Sequence, residues 1–298
     1  MLRTTYRCGV VALALAVLTG CGGGSGKKEP SLAAPFAYDD SQPLNVQSQT
    51  AAIGVRGLRV RDIAFDGPDG VQVIGYLISP PDSDRHPAVV FAHGGGGSRV
   101  ELFQQAAALA QDGAVALTLE MPYSPRRAQQ LPPGIEGLRA QVDQDVQSVQ
   151  EVRRAVDVLR SLPSVDGDRI GYVGWSAGAR TGAIVAGLEH RIKAFDLLAG
   201  GAAPVGESVR AAPPELRSEV SELVRKTSPL RYVGHAAPSA LLFQDGRTDE
   251  LVPHDALVAL AKAGSEPKDV RWYDSGHTPT ERAWVDSRRW LDERLDIK

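Results

Sequence analysis

The sequence predicts an α/β fold: a mainly parallel, doubly wound sheet that opens with an antiparallel hairpin and carries a short cap insertion. Three observations lead there. From Ala88 onward, short apolar runs alternate with segments of helical periodicity, the pattern of parallel strands joined by crossover helices. Two β-like runs come earlier, Leu58 to Phe65 and Val71 to Ile78, separated by Asp-Gly-Pro-Asp-Gly, a composition that favours a tight reversal. Finally, Gly171-Tyr172-Val173-Gly174-Trp175-Ser176-Ala177-Gly178 reads as a buried strand, a glycine-flanked serine and a small-residue helix, which sets one hydroxyl at the end of a sheet.

In chain order, residues 1–20 read as a secretory leader. Arg3 and Arg7 precede the apolar run Val10 to Leu18. As a helix that run spans about 14 Å, short of the roughly 30 Å of a hydrocarbon core. It closes on Leu18-Thr19-Gly20-Cys21. From Gly22 to about Thr50 the chain is rich in Gly, Ser, Lys, Pro and Gln with no sustained periodicity, so 21–50 is expected as a flexible tether and 51–298 as the folded domain.

After the hairpin, Ala88 to Ala92 is a short apolar run suited to a central strand, and it delivers His93-Gly94-Gly95-Gly96-Gly97. Glu101 to Gln111 reads as helix and Ala114 to Leu119 as strand. Leu138 to Leu162 reads as a long helix with Val142, Val146, Val149, Val152, Val156 and Leu159 on one face. A strand from Arg169 to Val173 and a helix from Ala177 to Leu188 flank Ser176, and Ile192 to Leu198 follows as strand. Residues 200–237 interrupt the alternation with Pro213-Pro214 and a charged helix from about Glu215 to Lys226, and are assigned to the cap insertion. The rhythm resumes with Ala240 to Gln244 (strand), Pro253 to Ala263 (helix), Asp269 to Tyr273 (strand) and Pro279 to Leu295 (helix).

Composition narrows the function. A chain of 298 residues with 43% hydrophobic content can bury a large core, and its net charge of -3 is unremarkable. No basic stripe interleaved with aromatics occurs, so nucleic acid is not an expected partner. Of the two cysteines, Cys8 lies in the leader and Cys21 just after it, so the mature domain has no pair for a disulfide. Neither H-E-x-x-H nor C-x-x-C is present and no G-K-[ST] follows the glycine run, so no catalytic metal, nucleotide or other cofactor is expected.

A serine hydroxyl attacks well only when a base takes its proton, and the base needs a third group to hold its tautomer. His277 is the candidate base, in the loop Asp274-Ser275-Gly276-His277-Thr278 between the last strand and the last helix. In the strand-turn-helix hydrolase arrangement the acid lies between serine and histidine in sequence. Asp249 satisfies this in Gln244-Asp245-Gly246-Arg247-Thr248-Asp249-Glu250-Leu251-Val252-Pro253, with Asp245 and Glu250 as rivals and Asp196 next in line. An oxyanion site needs two N–H donors: Ala177 supplies one and the loop after His93 the other, from Gly94 or Gly95. His93 reads as a loop-fixing side chain, while His86, His190, His235 and His254 read as surface or packed residues.

The order Ser176, Asp249, His277, the G-x-S-x-G turn and the H-G-G-G-G loop together resemble the α/β-hydrolase superfamily, in particular its dienelactone-hydrolase-like and prolyl-oligopeptidase-like esterase branches. The resemblance covers Leu58 to Lys298. In that family a G-x-x-D-x-x-V-P stretch carries the acid, which matches Gly246 to Pro253 and selects Asp249. Dienelactone hydrolases proper use a cysteine nucleophile, so Ser176 favours an esterase. Leu-Thr-Gly-Cys likewise resembles the lipobox of bacterial lipoproteins, which implies cleavage before Cys21, a diacylglyceryl group on its sulfur and an acyl chain such as palmitate on its amino group.

The resulting expectation is an exported, membrane-anchored serine hydrolase of carboxylic esters with a small-molecule ester substrate. The alternatives are a peptidase or acyltransferase using the same triad, an envelope binding lipoprotein without turnover and, if Cys21 is not lipidated, a secreted or periplasmic protein. Trp175, Tyr123 and the cap segment are candidate pocket residues. Nothing in the sequence specifies an oligomeric state.

Overall fold

The computed structural model describes residues 31–202 and 205–297. The expected leader, Cys21 and the first part of the tether lie outside these residues. Among the described residues nine strands form one sheet: β1 Gln47–Thr50, β2 Arg59–Asp66, β3 Gln72–Ser79, β4 His86–Ala92, β5 Val115–Leu119, β6 Val165–Trp175, β7 Ile192–Leu198, β8 Ala240–Gly246 and β9 Lys268–Tyr273. The helices are α1 Phe103–Gln111, α2 Gly134–Ser161, α3 Ala177–Ala186, α4 Val205–Ala211, α5 Arg217–Lys226, α6 Pro229–Tyr232, α7 His254–Ala263 and α8 Glu281–Leu295.

The spatial order is β1-β2-β3-β5-β4-β6-β7-β8-β9. Strands β1, β2, β3 and β5 pair antiparallel, and from β5 through β4 to β9 every pairing is parallel. The expected hairpin forms, with Phe65 opposite Val73 and the turn at Pro68–Gly70. In β4, Ala88, Val90 and Ala92 enter the core on one face while Val89 and Phe91 enter the core on the other, so both faces of the strand are apolar. The first core includes Val149, Val152, Val156 and Leu159 of α2 together with Ala183 and Ile184 of α3. The second is closed by Phe103 and Leu109 of α1 and by Trp290 and Leu291 of α8. Two helix layers thus cover the parallel part of the sheet, and the loops at the carboxyl ends of its strands remain available for chemistry.

The tether ends earlier than Thr50, because the compact unit begins at Leu32. Phe36 is completely buried and meets Tyr232 edge-to-face at 5.4 Å. Burying one such ring stabilises by about 2–3 kcal/mol. Tyr38 donates a hydrogen bond to Asp157 at 3.0 Å, and Gln47–Thr50 adds an edge strand to β2. Polar composition concealed this segment: all four β1 side chains are exposed, so its order comes from backbone pairing, the Phe36 anchor and the Arg153 and Arg154 guanidiniums, which donate to the carbonyls of Phe36, Asp40 and Pro43.

Within 200–237 the described residues form three α-helices, α4, α5 and α6, and two short 3-10 turns at Pro214–Leu216 and Val233–His235. The Arg139 guanidinium on α2 donates through Nε to Glu219 on α5 at 2.8 Å, so the charged helix lies against the start of α2. No helix among the described residues is long and apolar enough to cross a membrane.

Candidate active site

Strand β6 ends at Trp175 and α3 begins at Ala177, which leaves Ser176 on the turn between them with φ 55° and ψ -111°. A side chain is seldom held in that region, and the surroundings enforce it. Ser176 N–H donates to the Leu198 carbonyl at 2.8 Å, and the Ser176 carbonyl accepts from Arg180 N–H at 3.0 Å. A Cβ on Gly174 would stand 2.5 Å from the Gly178 carbonyl, and one on Gly178 would overlap the Ala92 carbonyl oxygen. Both glycines of G-x-S-x-G are therefore required by the close packing of α3 on β4 and β6, and the turn lifts the hydroxyl clear of the sheet.

The structure brings Ser176, His277 and Asp249 together. His277 Nε2 lies 2.9 Å from Ser176 Oγ, and its Nδ1 lies 2.8 Å and 3.1 Å from the two Asp249 oxygens. The Asp249 side chain is 1% exposed and that of His277 8%. Asp249 Oδ1 also accepts from the N–H groups of Leu251 at 2.9 Å and Val252 at 2.8 Å, so the carboxylate is oriented by its own loop before it meets the imidazole. With Nδ1–H donating to Asp249, Nε2 is left as the acceptor facing the serine proton. This arrangement can deprotonate Ser176 as it attacks a carbonyl and return the proton to a leaving group.

Asp245, Glu250 and Asp196 are directed elsewhere. Asp245 lies on β8, 3% exposed, and burial, with Asp249 adding to it, pushes its carboxyl up to about 7. Glu250 accepts the His277 main-chain N–H at 3.2 Å, so it holds the histidine loop without touching the ring. Asp196 is fully buried on β7; its Oδ1 accepts from the Gln244 amide at 2.9 Å, and Oδ2 has no partner. Burial pushes this carboxyl to about 7 against the lowering effect of the Ser287 and Gln244 hydrogen bonds.

The loop after His93 differs from expectation at Gly94. Its N–H donates to Glu101 Oε2 at 2.8 Å, which removes it from the pair of candidate oxyanion donors. Gly95 remains: a Cβ there would be 3.9 Å from Ala177 Cβ, so its backbone adjoins the first residue of α3. His93 clamps the loop, with Nδ1 2.7 Å from the Gly94 carbonyl and Nε2 accepting from Met121 N–H at 3.1 Å. This bonding defines the Nδ1–H tautomer, and burial lowers its pKa.

Trp175 Nε1 donates to the His277 carbonyl at 3.2 Å, so the residue before the nucleophile braces the base. Glu101 and Glu250 carried no sequence signal for these roles. Elsewhere, His86 meets Asp82 at 2.7 Å, His254 stacks on Trp272 at 4.7 Å, and His190 and His235 are exposed. Among the described residues no group of three or more His, Cys, Asp or Glu is placed to hold a metal ion.

A mainly parallel sheet whose strand ends converge a strained serine, a histidine and a buried aspartate defines a serine hydrolase of the α/β-hydrolase class. Residues 73–277, more than half of the chain, match the dienelactone hydrolase family, and the chain belongs to that family. Solved structures agree in fold. An acetyl xylan esterase from Paenibacillus sp. R4 superposes with a TM-score of 0.75 at 22% identity, covering 89% of this chain and 92% of that one. Acetyl xylan esterase 1 from Thermoanaerobacterium sp. JW/SL YS485 gives 0.76 at 17% identity, covering 88% and 92%. A cold-adapted esterase from an Arctic intertidal metagenomic library gives 0.64 at 20% identity, covering 85% and 100%. Dipeptidyl-peptidase 5 of Porphyromonas gingivalis is 30% identical over 140 residues, which is 44% of this chain and only 20% of the peptidase.

Proposed function

We propose that the protein hydrolyses carboxylic esters through an acyl-enzyme, with Ser176 as nucleophile, His277 as general base and acid, and Asp249 as the group that orients His277 and stabilises its imidazolium. The observation carrying this reading is the hydrogen-bond series Asp249–His277–Ser176, which ends beside the backbone of Gly95 and Ala177. In the first half-reaction Oγ bonds to the ester carbon, its proton passes to His277 Nε2, and the carbonyl electron pair moves to the oxygen facing the Gly95 and Ala177 N–H groups. Collapse expels the alcohol with that proton. Water then attacks the acyl-serine by the same route, releasing the acid and regenerating Ser176.

The names of the esterase neighbours support an ester over an amide, while the partial match to a dipeptidyl-peptidase keeps peptide hydrolysis as the second reading. Aryl esters of graded acyl length, run beside a peptide amide panel, separate the two. A fluorophosphonate probe should label the wild-type protein and not Ser176→Ala, whose turnover should fall on the order of 10⁶-fold. Equal labelling of both proteins would refute the nucleophile.

The anchoring part of the proposal rests on Leu-Thr-Gly-Cys after an apolar run too short to span a bilayer. We propose export, cleavage before Cys21 and lipidation of that residue, with residues 22–31 as the link to the domain. Intact mass of the mature protein and release of Cys21→Ser from membranes test it. An unmodified Cys21 would refute it.

A further inference from the structure

We propose that the cavity beside the candidate oxyanion donors receives the acyl half of the substrate and selects an acyl group that bears a hydroxyl. The inference rests on the ester-hydrolase reading and adds the substrate class. A cavity of about 410 Å³ opens at Gly95 and Ala177 and has Gln141, Asp145 and Arg180 among its polar lining. Tyr123 and Ile184 contribute to its walls; it adjoins the nucleophile through Ala177, and Ser176, His277, Asp249 and Trp175 take no part in its lining.

Position identifies the half of the ester. In the tetrahedral intermediate the alkoxide faces Gly95 and Ala177, and the leaving oxygen must approach His277 Nε2 to collect its proton. The acyl carbon chain takes the remaining direction. A cavity that adjoins the oxyanion donors and excludes the histidine loop is therefore on the acyl side.

Polar inventory identifies the substituent. Several lining groups are already engaged: the Tyr123 hydroxyl donates to the His93 carbonyl at 2.9 Å, Gln144 Nε2 to the Pro122 carbonyl at 3.3 Å, and Thr181 Oγ1 to the Ala177 carbonyl at 3.1 Å. Asp145 Oδ1 accepts from Gln141 Nε2 at 3.0 Å. Arg180 and Asp145 remain as a pair, with NH2 3.9 Å from Oδ2, beyond hydrogen-bond length. Arg180 lies one turn after Ser176 on α3, its N–H bonded to the Ser176 carbonyl at 3.0 Å, so its backbone is fixed one helical turn from the nucleophile. Burial raises the Asp145 carboxyl, with Arg180, Gln141 and the Thr227 hydroxyl acting in the opposite direction.

A hydroxyl seated there accepts from the guanidinium and donates to the carboxylate at once. A carboxylate substituent would face Asp145, an ammonium would face Arg180, and an alkyl chain would desolvate both groups without a bond in return.

The test compares p-nitrophenyl 3-hydroxybutyrate with p-nitrophenyl butyrate, which differ by one hydroxyl, on the full-length protein in detergent, with a p-nitrophenyl succinate monoester as the anionic arm. The expected kcat/KM ratio of hydroxybutyrate to butyrate is at least about tenfold, the value of a hydrogen bond to a charged partner, with the succinate ester below butyrate. Arg180→Met, at a side chain 46% exposed, should bring the ratio within about threefold of one with an unchanged melting temperature, and Asp145→Asn should lower it. A wild-type ratio of one or less, a succinate preference, or a ratio unmoved by Arg180→Met would overturn the proposal. If no ester is cleaved, the ester-hydrolase reading fails by itself. Saturation-transfer titration of Ser176→Ala protein with methyl 3-hydroxybutyrate and methyl butyrate then decides the cavity: tighter binding of the hydroxy ester, lost with Arg180→Met, sustains it, and equal binding overturns it.

Discussion

Replacing Asp249 by asparagine changes one atom of the candidate triad, and the surrounding hydrogen bonds determine what that atom does. Asp249 Oδ1 accepts from Leu251 N–H at 2.9 Å and Val252 N–H at 2.8 Å, while Oδ2 is the oxygen nearer to His277 Nδ1, at 2.8 Å. In the asparagine variant those two N–H groups keep the amide oxygen at the Oδ1 position, so the NH₂ group takes the place of Oδ2. A donor then faces Nδ1, the imidazole shifts to its Nε2–H tautomer, and the nitrogen 2.9 Å from Ser176 Oγ can no longer accept the serine proton. For a Ser-His-Asp triad this tautomer error costs about 10⁴ in kcat, or about 5.4 kcal/mol of transition-state stabilisation.

The assay is kcat and KM on a short-chain aryl ester, with thermal melts alongside. We expect kcat to fall about 10⁴-fold with KM and melting temperature nearly unchanged, because the loop keeps both of its N–H acceptor contacts. Adding Asp249→Asn to Ser176→Ala should cost nothing more, since the residues act as a unit. If Asp249→Asn retains activity within about tenfold of wild type, a loss of only about 1.4 kcal/mol, the tautomer argument is wrong and Asp249 is not the orienting acid.

Three further outcomes follow from the same geometry. Burial holds the Asp196 carboxyl near pH 7 in the folded state, above its unfolded value, so the native state loses stability as pH rises from about 4 to 7; Asp196→Asn should match wild type below pH 4 and exceed it above pH 7 by up to roughly 4 kcal/mol, read from urea melts across pH. Equal pH profiles for the two proteins would count against the buried, raised carboxyl. Glu250→Ala removes the acceptor of the His277 N–H and should lower kcat about tenfold, while Glu250→Gln, which keeps an acceptor oxygen, should restore it; matching losses in both variants would show that charge and not loop geometry matters. Phe36→Ala empties a fully buried site against Tyr232 and should destabilise by about 3–5 kcal/mol in denaturant melts, whereas a free tether would lose nothing.

The catalytic candidates on turns were legible because local chemistry marks them. Gly174 and Gly178 announce the close approach around Ser176, whereas Asp249 was separated from Asp245, four residues away, by the resemblance of Gly246 to Pro253 to the family's acid-bearing stretch. The second oxyanion donor was less legible. Gly94 and Gly95 are equivalent in sequence, and only the fold carries Glu101, seven residues on, back to the Gly94 N–H and leaves Gly95 beside Ala177. Glu250 illustrates the same limit: a position one residue from Asp249 implies a side chain facing away from the histidine, yet a loop is not a strand, and its carboxylate reaches the His277 main chain. The edge strand Gln47–Thr50 was hidden for another reason, since a strand with both faces in water has no apolar alternation to read.

The pair proposed to recognise the acyl group shows why substrate preference was harder to read than mechanism. Along α2, Val142, Val149, Val152, Val156 and Leu159 mark the buried face, and nothing in that pattern singles out Gln141 and Asp145, four apart beside it. On α3 the nucleophile turn draws attention to Ser176, and no sequence signal marks Arg180 one turn later. Neither helix alone distinguishes these residues from the other charges it carries. Their meaning arises when both helices pack on the same face of the sheet and bring an arginine to 3.9 Å from a carboxylate beside Ala177, too far to bond each other and close enough for one oxygen atom to join them. Reaction type therefore follows from short motifs with intrinsic backbone demands, whereas specificity depends on the gap between two helices, a quantity set by the whole core.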